Sequence, residues 1–174
     1  MIIKFCFITL CVLVSTIYFL PSELKIIYLN YFENDLNSGL IIPVENKSKK
    51  SLNNSYDTPR TGERKHEGID IFAYRGTAIL NAKEGFLIYR GRNILGGNVI
   101  KIFGTDKRIY YYAHMDSSIE IERGNRIKQG EIIGYVGNTG NAISTPPHLH
   151  FEIMEISWLF PLITKNINPY YEFR

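Results

Sequence analysis

Short apolar runs separated by glycines fill the chain after Tyr56 and constrain its fold more than any other feature. No stretch of this region keeps a helical period over three turns, and the runs have the length of strands. Glycines between runs are typical of turns, and residues 105–107 predict a hairpin turn. The pattern predicts an all-β domain of antiparallel strands. The predicted strands are residues 69–72, 77–82, 86–90, 98–103, 109–114, 131–136 and 148–154.

A faint internal repeat accompanies these runs. Arg-Gly-Thr-Ala-Ile at residues 75–79 is followed by Glu84-Gly85, and Arg-Gly-Asn-Arg-Ile at residues 123–127 is followed by Gln129-Gly130. Two similar hairpin units would produce such a pattern.

The amino terminus carries a predicted membrane segment. Residues 2–20 form an apolar run in which Lys4 is the only charged side chain. As a helix the run would be about 28 Å long, close to the hydrocarbon thickness of about 30 Å. Leu20-Pro21-Ser22 is a poor cleavage site, which favours a retained anchor over a cleaved signal peptide. We expect a single-pass protein of the cytoplasmic membrane with its domain outside the cytoplasm, and secretion is the alternative.

Two segments separate this run from the predicted strands. Residues 21–39 mix apolar and charged side chains, which favours a juxtamembrane or interfacial helix. Residues 45–54 are polar and rich in turn formers, which predicts an exposed loop. This loop is a candidate to cover a groove, with Asn46, Asn53 or Asn54 offering an oxygen to a metal. The predicted division is an anchor at residues 1–20, a juxtamembrane segment at 21–39 and a β domain at 40–174.

The charge and cysteine content exclude two classes of protein. The chain has 174 residues, with 20 Lys and Arg against 17 Asp and Glu, so its formal charge is only +3. A nucleic-acid-binding domain needs a basic face, and we therefore predict no nucleic-acid partner. Cys6 and Cys11 both precede the predicted β domain, so we expect no disulfide framework in it.

The motif Pro-His-Leu-His-Phe-Glu-Ile at residues 147–153 is the first of three that contain the four histidines. Strand alternation places His148, His150 and Glu152 on one face and the apolar residues on the other. Side chains two apart on a strand lie about 7 Å apart, so one histidine can bind a metal while the other reaches its water. An exposed polar strand face is the alternative. Glu152 is either an acceptor for the His150 ring or a solvated carboxylate.

His66 and Asp70 form the second motif, His-Glu-Gly-Ile-Asp. Its spacing invites comparison with the helical His-Glu-x-x-His motif, in which the glutamate is a general base. Gly68 disfavours a helix and position 70 is Asp, so the segment is predicted to be a turn that enters a strand. Glu67 is then not aimed as a base. An ordinary surface turn is the alternative.

His114 ends the third motif, Tyr-Tyr-Tyr-Ala-His at residues 110–114. Regular alternation places His114 on the same strand face as Tyr110 and Tyr112. These two tyrosines are therefore candidates to wall a substrate groove. Aromatic packing across strands is the alternative for each of them.

Together the motifs indicate a catalytic metal site. Two imidazoles and one carboxylate supply three zinc ligands and leave the fourth position to water, whereas structural zinc sites are closed by four ligands. Zinc can lower the pKa of such a water to about 7, which permits attack on a carbonyl at neutral pH. Two imidazoles remain, one to take the proton of the water and one to stabilise the oxyanion. We expect one zinc ion.

The order His-x-x-x-Asp, a middle His and His-x-His resembles the LytM and lysostaphin type of zinc endopeptidase, which cleaves peptides of peptidoglycan. Gly-Ile-Asp-Ile at residues 68–71, Tyr-Ala-His at 112–114 and Gly-Tyr-Val-Gly-Asn-Thr-Gly at 134–140 carry the same resemblance, which covers residues 40–169. It implies an antiparallel β domain with a groove above the sheet, similar to a duplicated-hairpin, barrel-sandwich hybrid. Many members have glycine before Pro-His-Leu-His, whereas this chain has Pro146, which removes a backbone donor.

The resemblance also implies the roles of five residues and the partner. His66, Asp70 and His150 are the implied zinc ligands, and His114 and His148 are the implied catalytic residues beside the metal. Neither cysteine takes part. Peptidoglycan is the implied substrate, and a domain outside the cytoplasmic membrane would meet it.

Two other functions stay open. A non-catalytic member of the same fold would bind the cell wall or activate another hydrolase, and loss of any of the five residues would favour it; none is lost. A carrier domain modified on a turn lysine would use Lys83, although the flanking residues do not match a carrier motif. The sequence carries no signal for the bond that is cut or for the oligomeric state.

Overall fold

The computed structural model describes residues 20–31, 39–60, 62–157 and 163–173. Within these ranges the chain is mainly strand, and the prediction of an antiparallel all-β domain is confirmed. The short helices α1 (Ser22–Asn30) and α2 (Pro169–Glu172) flank the strands. The strands are β1 (Ile69–Phe72), β2 (Ala78–Leu80), β3 (Gly85–Asn93), β4 (Gly97–Gly104), β5 (Arg108–Ser118), β6 (Arg126–Ile127), β7 (Ile132–Val136), β8 (His148–Ile156) and β9 (Thr164–Ile167).

β5 and β8 form the centre of the sheet. The main path of paired strands is β1-β8-β5-β4-β3-β6, β9 lies beside β8, and β7 pairs with both β2 and β5. The apolar residues of β8, Leu149, Phe151 and Ile153, are completely buried. The alternate residues of β8 therefore project from the opposite face, as the alternation of the motif predicts.

The two repeated segments of the sequence correspond to two turns in similar surroundings. β2, in the first segment, pairs with β7, which follows the second segment. β6, in the second segment, pairs with β3, which follows the first. Gly76 and Gly124 hold the same place in the two segments, and both have a left-handed φ, 83° and 86°. A side chain at either position would be strained, which explains why the glycine recurs.

The core takes residues from both ends of the β domain. Val44, Leu52 and Phe173 are buried together with the strand residues. The polar loop predicted at residues 45–54 is mostly exposed, but Leu52 in it is only 7% exposed. Lys83 is 1% exposed, and a carrier lysine must be reachable by the enzyme that modifies it. The carrier alternative is therefore wrong.

Helix α1 packs against the sheet. Its residue Ile27 is buried with Ile88, Phe103 and Ile109 from three strands, and the Arg123 guanidinium donates to the Ser22 hydroxyl. Among the described residues, no helix is long and apolar enough to cross a membrane. The anchor predicted at residues 1–20 falls almost entirely outside the described residues, and the division of the chain at residues 20 and 39 stays a prediction.

Candidate metal centre and active-site cleft

Strands β1 and β8 bring a carboxylate and an imidazole face to face. In their antiparallel pairing Asp70 lies opposite His150. Ile69 and Leu149, their neighbours along the strands, are completely buried, so Asp70 and His150 project from the other face. Gly68 is required at the entrance to β1, because a Cβ atom there would lie 2.3 Å from a backbone oxygen of β8.

His66 reaches the same place from the 57–66 hairpin, in which residues 57–60 pair with residues 64–66. Its backbone N–H donates to the Thr58 oxygen at 2.9 Å, and His66 is 4% exposed. The ring Nδ1 donates to the backbone oxygen of Ser55 at 2.7 Å. The Ser55 hydroxyl accepts from the backbone N–H of Asp70 at 3.1 Å. Ser55 thus holds both residues of the His-x-x-x-Asp motif.

Three side-chain atoms form a nearly equilateral triangle. His66 Nε2 lies 3.0 Å from Asp70 Oδ1 and 2.9 Å from His150 Nδ1, and His150 Nδ1 lies 3.0 Å from Asp70 Oδ1. A tetrahedral zinc ion with ligands at about 2.0–2.1 Å needs separations of about 3.3 Å between them. A shift of a few tenths of an ångström therefore turns the triangle into three corners of a zinc site, and the donor set is one that zinc prefers. The residues fit the metal.

Hydrogen bonds and neighbouring charges shift the pKa values of Asp70 and His150 in the direction opposite to the effect of burial. Burial alone would raise the pKa of Asp70, but hydrogen bonds from His150, His66 and Arg60 outweigh it and hold this pKa well below its usual range. Burial alone would lower the pKa of His150, but its bonds to Asp70 and Glu152 raise it to about 9. Asp70 is therefore a permanent anion, which is the form that binds a cation.

A bulge in β5 delivers His114 to the same face. Tyr112 and Met115 of β5 lie opposite Ile100 and Asn98 of β4, so three steps along one strand match two along the other. His114 has a φ of 62°. This left-handed conformation is uncommon for histidine and carries the extra residue of the bulge.

The rings of His114 and His148 have the same hydrogen-bonding arrangement. Nδ1 of His114 lies 2.9 Å from the backbone oxygen of Thr139, and Nδ1 of His148 lies 2.8 Å from that of Pro146. A carbonyl oxygen only accepts, so each Nδ1 carries the hydrogen and each Nε2 keeps its lone pair. His148 Nε2 is 3.8 Å from Asp70 Oδ1, and the two rings are 5.0 Å apart.

His114 is kept neutral by its surroundings. Burial, reinforced by the neighbouring His150 and His148, lowers the pKa of His114 to about 4. At neutral pH its ring therefore carries no charge and can accept a proton at Nε2.

The structure brings together all five residues whose roles the resemblance implies, and it adds others that sequence reasoning missed. Nε2 of His150 donates to Glu152 at 2.8 Å, and the other oxygen of Glu152 accepts from the Asn166 amide at 2.9 Å. Glu152 is thus an acceptor for the ring and not a solvated carboxylate. The Arg60 guanidinium donates to Asp70 Oδ2 at 2.5 Å. No short-range motif contains Arg60 or Asn166, so no sequence signal could have found them.

The three residues of the triangle and the two histidines beside it line an open cleft of about 920 Å³. One wall is basic and comes from the 57–66 hairpin, with Arg60, Arg64 and Lys65. The lining also includes the apolar residues Ile94 and Leu95 from the β3–β4 turn. None of residues 45–54 lines the cleft, so the hypothesis that this loop covers the groove is wrong.

Tyr110 and Tyr112 do not wall the cleft, and that prediction is wrong. Both are completely buried in the core, and the Tyr112 hydroxyl bonds to Asn81 and to the Ala82 N–H. Tyr111 lines the cleft instead. The bulge is the reason, because one extra residue between Tyr112 and Met115 reverses the alternation before His114.

Comparison with protein-family models and with curated proteins finds one matching family and several relatives. The family model described as peptidase family M23 matches residues 64–169. The DD-carboxypeptidase/endopeptidase Mpg of Neisseria meningitidis serogroup B is 39% identical over 89 residues, which are 51% of this chain and 20% of that protein. The peptidoglycan DD-endopeptidase ShyC of Vibrio cholerae is 37% identical over 97 residues, 55% of this chain and 22% of that protein. The chain spans about a fifth of these relatives.

A solved structure supports the same likeness. The catalytic domain of the antimicrobial peptidase lysostaphin from Staphylococcus simulans superposes with a TM-score of 0.54 at 30% identity. The superposition covers 66% of this chain and 84% of that domain.

Proposed function

The chain belongs to peptidase family M23, and on this premise we propose that it is a zinc-dependent endopeptidase that hydrolyses peptide bonds of peptidoglycan. The resemblance to LytM and lysostaphin-type enzymes is confirmed. The observation that carries the proposal is the group His66, Asp70 and His150 with the rings of His114 and His148 beside it. Three protein ligands leave a position open on zinc, and imidazole lone pairs beside that position are typical of sites that catalyse hydrolysis.

Three side chains would hold the metal. His66 would bind through Nε2, Asp70 through Oδ1 and His150 through Nδ1, because these atoms form the triangle. Three protein ligands are the number found in catalytic zinc sites. Zinc bound there supplies a Lewis acid that polarises the scissile carbonyl and makes a water molecule nucleophilic at neutral pH.

His114 and His148 supply the proton transfers. Each ring donates a hydrogen bond from Nδ1 to a backbone carbonyl, so Nε2 is the atom that accepts a proton. One neutral ring takes the proton of the attacking water, and the imidazolium so formed returns it to the leaving amine. A histidine that carries a proton on Nε2 is also a donor for the oxyanion.

The position of the protein in the cell is part of the proposal. We propose that residues 1–20 anchor the chain in the cytoplasmic membrane and that residues 40–174 lie outside the cytoplasm, where peptidoglycan is found. The apolar run at residues 2–20 supports this arrangement. Membrane fractionation and sequencing of the mature amino terminus distinguish an anchored from a secreted form.

Digestion of purified peptidoglycan tests the activity. The full-length chain is loaded with zinc and incubated with peptidoglycan, and the released fragments are identified by mass; His114→Ala is treated in parallel. Fragments that appear with the wild-type chain and not with the variant support the endopeptidase and identify the bond. Binding to peptidoglycan without cleavage by a folded, zinc-loaded chain would instead support a non-catalytic wall binder or an activator of another hydrolase.

A further inference from the structure

One loop supplies a carbonyl to each of the two histidines beside the triangle, His114 and His148. Thr139 and Pro146, at the two ends of the loop, accept the Nδ1 hydrogens of His114 and His148. The two ends are not held alike. The Thr139 hydroxyl donates to the Met115 oxygen and accepts from a backbone N–H of β4, both at 2.9 Å. At the His114 end, the residue that supplies the carbonyl is therefore attached to the sheet by its own side chain.

The Pro146 end is held on both sides. After it, the backbone N–H groups of Ala73 and His148 donate to the oxygens of Pro147 and Gly137 at 3.3 and 3.0 Å. Before it, the loop is held by the side chain of Asn138. The Asn138 amide donates to the backbone oxygens of Ile143 at 3.2 Å and Thr145 at 3.3 Å. One side chain thus crosses the loop before Pro146, in addition to the local bonds from Thr145 to the Ala142 oxygen. The Asn138 oxygen accepts from the Arg75 guanidinium, which also pairs with Asp116.

We propose that Asn138 is a positioning residue for His148, and that Arg75 anchors it. The inference rests on the proposed function and adds a residue that touches neither metal nor substrate. Because Asn138 holds the loop in one shape, the Pro146 oxygen stays where it accepts the His148 Nδ1 hydrogen. The Nε2 lone pair then faces the cleft, and the other tautomer, which carries its hydrogen on Nε2, is excluded.

Loss of the Asn138 amide affects the two histidines differently. Without it, the Pro146 oxygen can move away and His148 samples both tautomers and more than one ring orientation. His114 keeps its bond, since Thr139 has its own attachments to Met115 and β4. The unequal response of two rings in one protein is a result that general destabilisation of the fold would not produce.

The test combines NMR with kinetics on the full-length chain labelled with 15N-histidine. In zinc-loaded wild type, His114 and His148 should both show the tautomer with hydrogen on Nδ1. In Asn138→Ala, we expect the His148 signals to average between tautomers while those of His114 and the zinc content stay unchanged. Because misplacement of a catalytic group by about 1 Å can cost a hundredfold, kcat should fall by roughly tenfold to a hundredfold.

Three matched variants separate the possible causes. Asn138→Asp keeps the oxygen toward Arg75 but places an acceptor against two carbonyl oxygens, so it should resemble Asn138→Ala. Ser144→Ala changes an exposed side chain of the same loop and should behave as wild type. Arg75→Ala should lower kcat several-fold in the wild-type background and have little further effect on Asn138→Ala, as expected for residues that act through one another.

A single His148 tautomer and a wild-type kcat in Asn138→Ala would overturn the proposal, as would equal changes in both histidines. If Asn138→Ala is unfolded by circular dichroism, Arg75→Ala decides, and unchanged His148 signals in that variant would overturn the proposal. If no chain digests peptidoglycan, the endopeptidase assignment fails. The NMR comparison still decides the role of Asn138 in that case.

Discussion

Asp70 and His150 lie directly opposite each other on β1 and β8, and Nδ1 of His150 is 3.0 Å from Oδ1 of Asp70. The sheet register itself therefore sets the separation of two of the three predicted zinc ligands. His66 completes the triangle from the hairpin that precedes β1. A site built on paired strands holds its ligands more rigidly than one built on loops.

Asp70→Asn should weaken zinc binding by more than about a hundredfold, beyond the range known for residues outside the ligand shell. The substitution removes the negative charge of the one carboxylate among the three predicted ligands. Glu67→Gln is the matched control, because Glu67 lines the cleft without belonging to the triangle; it should keep its zinc and most of its activity. Competition with a chromophoric chelator measures the affinity, and equal affinities of the two variants would contradict the assignment of Asp70.

His114→Ala should abolish peptidoglycan cleavage without loss of zinc. The ring lies beside the triangle and contributes none of its three atoms. Metal analysis and turnover are measured on the same preparation. An active variant would remove His114 from the mechanism, and a zinc-free variant would make it a ligand.

Glu152→Gln should lower zinc affinity by roughly tenfold. The Glu152 carboxylate accepts a hydrogen bond from Nε2 of His150, which raises the basicity of Nδ1, the atom that would bind the metal. Glu155→Gln is the control, because Glu155 lies on the same strand and pairs with Arg108 at the surface. The same chelator competition serves here, and unchanged affinity in Glu152→Gln would make the hydrogen bond unimportant for binding.

Tyr112→Phe should lower the free energy of unfolding by about 1–3 kcal/mol, since the Asn81 side chain and the Ala82 N–H lose a buried partner. Tyr111→Phe loses only a partly exposed bond to Asn93 and should cost about 0.5 kcal/mol or less. Denaturant unfolding measures both. A normal stability with a raised KM in Tyr112→Phe would instead support a role for this tyrosine in the substrate groove.

Acid should destabilise the metal-free chain through His114. Its pKa is about 4 in the folded protein and about 6.5 when unfolded, so the unfolded chain binds more protons between these values. The contribution of His114 to the free energy of unfolding is therefore fully present above about pH 6.5. It is lost as the pH falls from 6.5 to 4, by about 1 kcal/mol per pH unit at most. His114→Gln should lose stability less steeply over this window. Parallel slopes for the two chains in denaturant unfolding would contradict the pKa shift.

Local pattern was sufficient for the strands and for the face of β8 that carries the histidines. The apolar runs after Tyr56 predicted the antiparallel strands, and the alternation of His148, Leu149 and His150 predicted which side chains leave the core. Such predictions succeed because the strand period of two is a property of neighbouring residues. The His-Glu-Gly-Ile-Asp segment was predicted as a turn entering a strand because Gly68 is unfavourable in a helix, and this too is a local property.

Local pattern failed where the period was interrupted. The bulge after Tyr112 reversed the alternation, so Tyr111 lines the cleft and Tyr112 is in the core. No residue type in the sequence marks the bulge. His114 has a left-handed φ, and its hydrogen bonds go to Gly96 and Thr139, which are distant in sequence. Leu52 joined the core from a segment whose composition predicted exposure, since one apolar residue in a polar run carries no period.

The sequence by itself determined which ligand atoms and strands the chain contains. Only the tertiary structure decided that Asp70 meets His150, 80 residues away, and that Asn166 holds Glu152 and Arg60 holds Asp70. These contacts depend on the register between strands and on the path of a hairpin. Both are set by the packing of the whole core, which no local spacing of residues records.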